Sequence, residues 1–268
     1  MINITFDSNV WEKIVTSSEA SNDSFFKLKK LIINKKIQAY ICEIAISLES
    51  IQKIERAAFW QEYEPRLNYE THGGKINRDG TTTIKGGVCF SSYNEKHPGL
   101  HPKLKEKLLL AEHLGFKVLR MTNLGTVRSP EIPQNMFVES TDIDSFWSYA
   151  QKLSDCADYI VELRCGSYEY DKFKNKYSSY SSSTFKIDDS EEKGFIKSIA
   201  EWVDGDSISA HYASRNTIFC TEDRAKGAGN SSVFSKNNRT KLEHKYAIKI
   251  LSVNELYEFI GRFLKLIN

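Results

Sequence analysis

Residues 2–10 read Ile2-Asn3-Ile4-Thr5-Phe6-Asp7-Ser8-Asn9-Val10. Apolar side chains run as far as Phe6 and then stop at three small polar residues, each a good helix cap. The stretch therefore reads as a buried strand followed at once by a helix start. Outward from it, Phe25, Leu28, Leu31 and Ile32 recur at helical spacing with lysines on the other face. Ile37 to Cys42 is a second short strand, and from Glu43 the positions Ile44, Leu48, Ile51 and Ile54 trace another amphipathic helix. The first sixty residues thus read β-α-β-α.

The same alternation returns near the other end. Glu191 to Val203 is an amphipathic helix, and Asp204-Gly205-Asp206 is expected to interrupt it before a second helix through Ile208, His211 and Tyr212. Thr217 to Cys220 is a strand ending at Thr221-Glu222-Asp223, and Ala247 to Leu251 is the last strand. Ser252 and Glu255 form a capping box that opens the final helix. Between the two ends the order loosens. The spacing predicts a hairpin over 81–91 around Lys85-Gly86-Gly87, a helix from Pro102 to Leu114 and a strand from Phe116 to Met121. An aromatic-rich helix follows from Asp142 to Leu163, broken once near Asp155, and Tyr177 to Thr184 is a low-complexity loop. Short apolar strands alternating with helices define an α/β fold with a central, mainly parallel sheet flanked by helices.

Composition narrows the function classes. Of 268 residues, 40% are hydrophobic and 27% charged, which excludes fibrous and disordered classes. No stretch approaches the run of about 20 apolar residues that spans a bilayer, and the N-terminus carries no signal-peptide pattern, so the expectation is no membrane and a cytoplasmic location. The five cysteines, odd in number and without C-x-x-C spacing, suit a reducing compartment. The net charge of +2 names no partner, but it is unevenly spread. Arg66 to Arg128 holds eleven basic and five acidic residues, Glu131 to Asp206 holds eight basic and sixteen acidic, and Arg224 to Lys249 holds seven basic and one acidic. Basic segments around an acidic one suit a protein that holds a polyanion beside a cation-binding site.

Ligands of open α/β sheets bind beyond the carboxyl ends of the strands. Asp7 and Asp223 lie at two such ends, Asp206 opens a helix just upstream of the Asp223 strand, and Glu49 lies on the helix after the second strand. Gathered carboxylates repel one another, and hard oxygen-seeking cations such as Mg²⁺ or Mn²⁺ relieve the repulsion. Taken singly, each aspartate also reads as an ordinary helix cap, and Glu49 as a solvated helix residue.

In this order the segments resemble the PIN domain, a family of metal-dependent nucleases acting mostly on RNA. The likeness lies in Ile4-Thr5-Phe6-Asp7-Ser8-Asn9-Val10, in Glu49 within the segment Ile41 to Ile51, in Asp206-Ser207-Ile208-Ser209-Ala210-His211-Tyr212-Ala213, and in Ile218-Phe219-Cys220-Thr221-Glu222-Asp223. It implies one PIN-like domain over 1–268, of three layers, with its core at about 1–60 and 190–268 and an inserted α+β elaboration at about 65–185. It also implies that Asp7, Glu49, Asp206 and Asp223 bind one or two Mg²⁺ or Mn²⁺ ions, which activate water toward phosphorus and neutralise the leaving 3′-oxygen. Glu43 competes with Glu49, and Asp204 with Asp206. Ser8, Asn9 and Thr221 are assigned support, with capping the alternative for the first two. Arg224, Lys226 and Arg239 are the expected RNA-phosphate contacts, with a solvated basic loop as the competing reading. The implied activity is an endoribonuclease, a toxin or an RNA-processing enzyme; the alternative is a catalytically inert PIN-like module that binds RNA or protein. An inhibitory, antitoxin-like partner and a homo-oligomer are compatible expectations. No P-loop, dinucleotide fingerprint, H-E-x-x-H or G-x-S-x-G motif competes with this reading.

Overall fold

The computed structural model describes the chain except residues 22, 62–65, 77–81, 92–96, 123–126, 141, 178–185, 226–228 and 268; over 66–76, 82–91 and 263–267, and at 230, only the backbone is described. The described elements are β1 (Ile2–Phe6), α1 (Ser8–Thr16), α2 (Ser24–Ile33), β2 (Ile37–Cys42), α3 (Glu43–Glu49), α4 (Arg56–Gln61), β3 (Arg66–Ile76), β4 (Thr82–Ser91), α5 (Pro102–His113) and β5 (Lys117–Leu119). They continue with α6 (Ile143–Glu162), α7 (Tyr168–Tyr177), α8 (Glu192–Ala213), β6 (Ile218–Cys220), α9 (Lys236–Tyr246), β7 (Lys249–Leu251) and α10 (Val253–Ile267).

Five strands form one parallel sheet in the order β5-β2-β1-β6-β7. The chain builds outward from β1 through β2 to β5, then returns to the other side of β1 to add β6 and β7. The strand order therefore reverses between β1 and β6, and the crevice at their carboxyl ends is where ligands of such sheets bind. Side-chain alternation along β1 separates the two faces. Ile4 and Phe6 enter a core with Val10, Trp11 and Ile14 of α1, Leu28 of α2, Leu108 of α5 and Leu256 of α10. Thr5 points the other way, toward α8. On that second face α8 packs against α3, α4, α6 and α7, and Phe219 of β6 meets Ile208 of α8 and Leu242 of α9. The result is a three-layer α/β fold, with helices on both faces of the sheet as buried parallel strands require. Among the described residues, no helix is long and apolar enough to cross a membrane.

Several local expectations need correction. Helix α8 runs unbroken through Asp204-Gly205-Asp206. Gly205 serves close packing instead: a Cβ there would lie 2.8 Å from the Cα of Gly166, whose own φ is +61°. Helix α6 is likewise continuous past Asp155. The helix after β2 stops at Glu49, and Ile54, placed on its apolar face by spacing, is 83% exposed. Gly86 and Gly87 sit inside β4, paired with Thr71 and Glu70, so the hairpin does not turn there. The low-complexity stretch begins at Tyr177, the last residue of α7, a helix the sequence did not announce; its remainder lies outside the described residues. The elaboration is also narrower than 65–185. Strand β5 pairs with β2 in the central sheet, and Leu104, Leu108 and Ala111 of α5 belong to the core beneath it.

Candidate functional site

The ladder between β1 and β6 carries Asp7 to the crevice. Phe6 pairs with Cys220, and the Asp7 amide donates to the Cys220 carbonyl at 2.9 Å. Oδ1 of Asp7 accepts the Ser8 amide at 2.7 Å, so Asp7 does cap α1. Its other oxygen faces the neighbouring strand end, accepting Asn9 Nδ2 at 2.8 Å and the Thr221 hydroxyl at 2.6 Å. Thr221 Oγ1 in turn accepts the Asp223 amide at 3.0 Å, and Asn9 Oδ1 accepts the Glu222 amide at 3.1 Å. Thr221 and Asn9 therefore hold the first and last acids in one hydrogen-bonded frame. Burial raises the Asp7 carboxyl above the ordinary range, and the nearby charge of Asp223 adds to it.

Glu49 reaches the same place from α3. Its carboxyl pKa is raised to about 8 by burial, then by Glu12 of α1 and by Asp7, with the Ser8 hydroxyl acting in the lowering direction. Glu49 Oε2 is buried with no hydrogen-bond partner among the described residues. Glu43 is engaged elsewhere. It is 2% exposed, accepts the Met121 amide at 2.8 Å on Oε2, and holds Arg128 Nε 3.4 Å from Oε1. Glu43 ties α3 to the segment after β5 and is not a rival for the Glu49 position.

Of the two helix acids, Asp204 is the one whose surroundings include the other acids of the site. His211 of α8 lies 2.9 Å from Thr5 of β1, and the Ser207 carbonyl is met by Cys42 at the end of β2. The sheet-facing side of α8 thus passes through His211 and Ser207, and two turns back from His211 it reaches Asp204, past the strand ends. Asp204 is where the charges of Asp7, Asp223 and Glu201 meet, and burial with this like-charge crowding raises its carboxyl well above the usual range. Asp206, two residues on, is 4% exposed and raised to about 7, chiefly by burial, with Asp171 of α7 adding to it. Its Oδ2 is buried with no hydrogen-bond partner among the described residues, and its charge reaches Cys42 at the end of β2.

Two further acids join the group that motif reasoning missed. Glu201 precedes Asp204 by one turn and is raised to about 7, chiefly by burial and against the lowering effect of Ser232; its Oε2 is buried and unpartnered among the described residues. Glu12 lies one turn beyond Ser8 on α1 and pairs with Lys107. Both follow from helical spacing alone: residues three or four positions from a site residue share its face. Arg56, whose guanidinium senses the Glu49 charge, was also missed.

The expected phosphate contacts are differently employed. Arg239 donates to the Phe234 carbonyl at 2.7 Å and to the Asp223 carbonyl, so it braces the loop that carries Asp223. Arg224 pairs with Glu255 at 3.6 Å on an exposed surface. Lys226 lies outside the described residues.

Asp7, Glu49, Glu201, Asp204 and Asp223 offer hard oxygen donors only, the set that Mg²⁺ or Mn²⁺ prefers. The unpartnered oxygens of Glu49 and Glu201 are acceptors that such a cation would satisfy. Among the described residues, however, no three acids, histidines or cysteines stand at metal-binding distance of one point. A cation would be held there only on side-chain rotation about the fixed strand and helix ends. Fold and site together define a three-layer α/β protein with a carboxylate cluster at its topological switch point. No protein-family model, no curated protein and no solved structure matches the chain.

Proposed function

We propose that this chain is a PIN-like, metal-dependent endoribonuclease that hydrolyses RNA phosphodiester bonds. The observation that carries the reading is the frame joining Asp7 to Asp223 through Thr221 at the carboxyl ends of β1 and β6, with Asp204 and Glu49 adding their charges. Asp7, Glu49, Asp204 and Asp223 would hold Mg²⁺ or Mn²⁺, with Glu201 beside them. When bound, such a cation supplies a water of lowered pKa and neutralises charge developing on a leaving oxygen. The protein's own contribution is positional. Thr221 and Asn9 fix the Asp7 carboxylate, Arg239 fixes the Asp223 loop, and Arg56 places a positive charge beside Glu49, where a phosphate can use it.

The reading predicts that the wild type cuts RNA incubated with Mn²⁺, that a chelator stops the reaction, and that Asp223→Asn loses it. Full activity of Asp223→Asn removes the site assignment. The second reading, an inert PIN-like module that binds RNA or protein, draws support from the Asp7 oxygens, both already satisfied by protein donors. It predicts Mn²⁺-independent RNA or protein binding without cleavage. A free ribonuclease endangers its host, so the first reading also carries an inhibitory partner or strict substrate choice.

A further inference from the structure

A second cavity, of about 910 Å³, opens at the β5 edge of the sheet, on the face covered by α6 and α8. Ala213 and Ser214, at the end of α8, leave the space because they are small. Tyr40 of β2 and Tyr149 and Phe146 of α6 line it with rings, and Arg120, Lys152 and Arg215 line it with positive charge. Glu139 and Asp144, both exposed, supply the opposing charge, so the lining is basic by one. The Tyr149 hydroxyl donates to the Arg120 carbonyl at 2.7 Å, and the Arg120 guanidinium lies 4.1 Å from the Phe137 ring centroid. These contacts fix a ring and a cation side by side. Thr122 adds a buried hydroxyl with no hydrogen-bond partner among the described residues. Ten residues of α8 separate Ser214 from Asp204, about 15 Å along the axis, so this cavity is not the carboxylate crevice.

We propose that this cavity binds a nucleoside monophosphate. Its volume is that of a small-molecule pocket. A bare anion would leave the aromatic wall unused, and a neutral ring would leave the basic side chains unused. A planar base stacked on Tyr149 or Phe146, with its phosphate facing Arg120, Lys152 and Arg215, uses both. The inference stands independently of the nuclease reading.

The test is calorimetric titration of the full chain, with EDTA present throughout, against adenosine 5′-monophosphate, inorganic phosphate and adenosine. Trp147, 63% exposed and stacked edge-on with Phe146 at 5.6 Å, gives a second, fluorescent readout. The nucleotide is expected to bind saturably, at least about tenfold more tightly than either half. The surface double variant Lys152→Gln/Arg215→Gln, shown folded by circular dichroism, is expected to lose about tenfold or more. Three results overturn the proposal: no saturable nucleotide binding at millimolar concentration, either half binding as tightly as the whole, or a folded double variant that binds like the wild type.

Discussion

The Thr221 hydroxyl donates to Asp7 Oδ2 across 2.6 Å, joining two strand ends that are 214 residues apart in the chain. The same oxygen accepts the Asp223 amide, so one side chain sets the spacing of two acids. Thr221→Val keeps the branched shape and removes both bonds. It leaves Asp7 and a backbone amide short of a partner, which costs about 1–3 kcal/mol for each buried group left unsatisfied. Thr221→Ser keeps both bonds. Chemical denaturation should rank wild type and Thr221→Ser close together and Thr221→Val clearly below. Equal stability for the valine variant would mean that the frame contributes nothing.

Two helical glycines make opposite predictions. Gly261 in α10 has nothing among the described residues within 4 Å of its would-be Cβ, so Gly261→Ala should stabilise by about 1 kcal/mol through helix preference alone. Gly205→Ala has the same intrinsic preference, but the new methyl meets the Gly166 backbone at 2.8 Å and forces α8 off the turn after α6. Overpacking of that kind costs about 1–3 kcal/mol, and α8 carries Glu201 and Asp204. Thermal melts should rise for Gly261→Ala and fall for Gly205→Ala.

The strands were legible because parallel strands buried on both faces must be apolar runs, and Ile4, Phe6, Ile218 and Cys220 are such runs. Asp7 was legible because it directly follows one, and Asp223 because it comes three residues after the other. The choice between Asp204 and Asp206 was not. A glycine between two aspartates reads as a break, and a break discards helical phase; the close approach of Gly166 that makes Gly205 useful joins parts of the chain no local window contains. With the helix unbroken, phase counted back from His211 selects Asp204. Glu43 was ambiguous for a similar reason. Its partners, Arg128 and the Met121 amide, lie far along the chain, and only the fold brings them to it. The nucleotide-sized cavity was invisible because its rings and cations come from β2, α6, the turn after β5 and the end of α8.

His211 gives a pH prediction with a definite sign. It is 1% exposed, its Nδ1 is 2.9 Å from the Thr5 hydroxyl, and burial lowers its pKa from 6.5 to about 3. The folded state therefore resists protonation that the unfolded state accepts. The associated stability is fully present above pH 6.5 and is lost as pH falls toward 3, by about 1.4 kcal/mol per pH unit inside that window. Glu49 and Glu201, raised to about 8 and about 7, act in the opposite sense, losing stability as pH rises through those values. The difference between wild type and His211→Gln isolates the histidine. That difference should shrink steadily between pH 6.5 and 4.5, and a pH-independent difference would contradict the burial argument.

The sharpest test of the site separates the two helix aspartates. Asp204 feels Asp7, Glu201 and Asp223 at once, so without a cation it is a repulsive element. Asp204→Asn removes that repulsion while keeping size and hydrogen-bonding capacity, and the metal-free variant should melt above the wild type. If the cluster acts on phosphodiesters through a divalent cation, the same substitution should cost about 100-fold or more in Mn²⁺-dependent RNA cleavage, the scale on which a single group aimed at developing charge is felt. Asp206 sits among Trp202 and Asp171 instead. Asp206→Asn should leave cleavage within a few-fold of wild type once folding is matched. Gain of metal-free stability joined to loss of activity marks a residue selected for its charge at a reacting centre. Loss of activity in Asp206→Asn with Asp204→Asn unaffected would instead mean that α8 presents its other face to the substrate, and that the phase counted from His211 does not decide the chemistry.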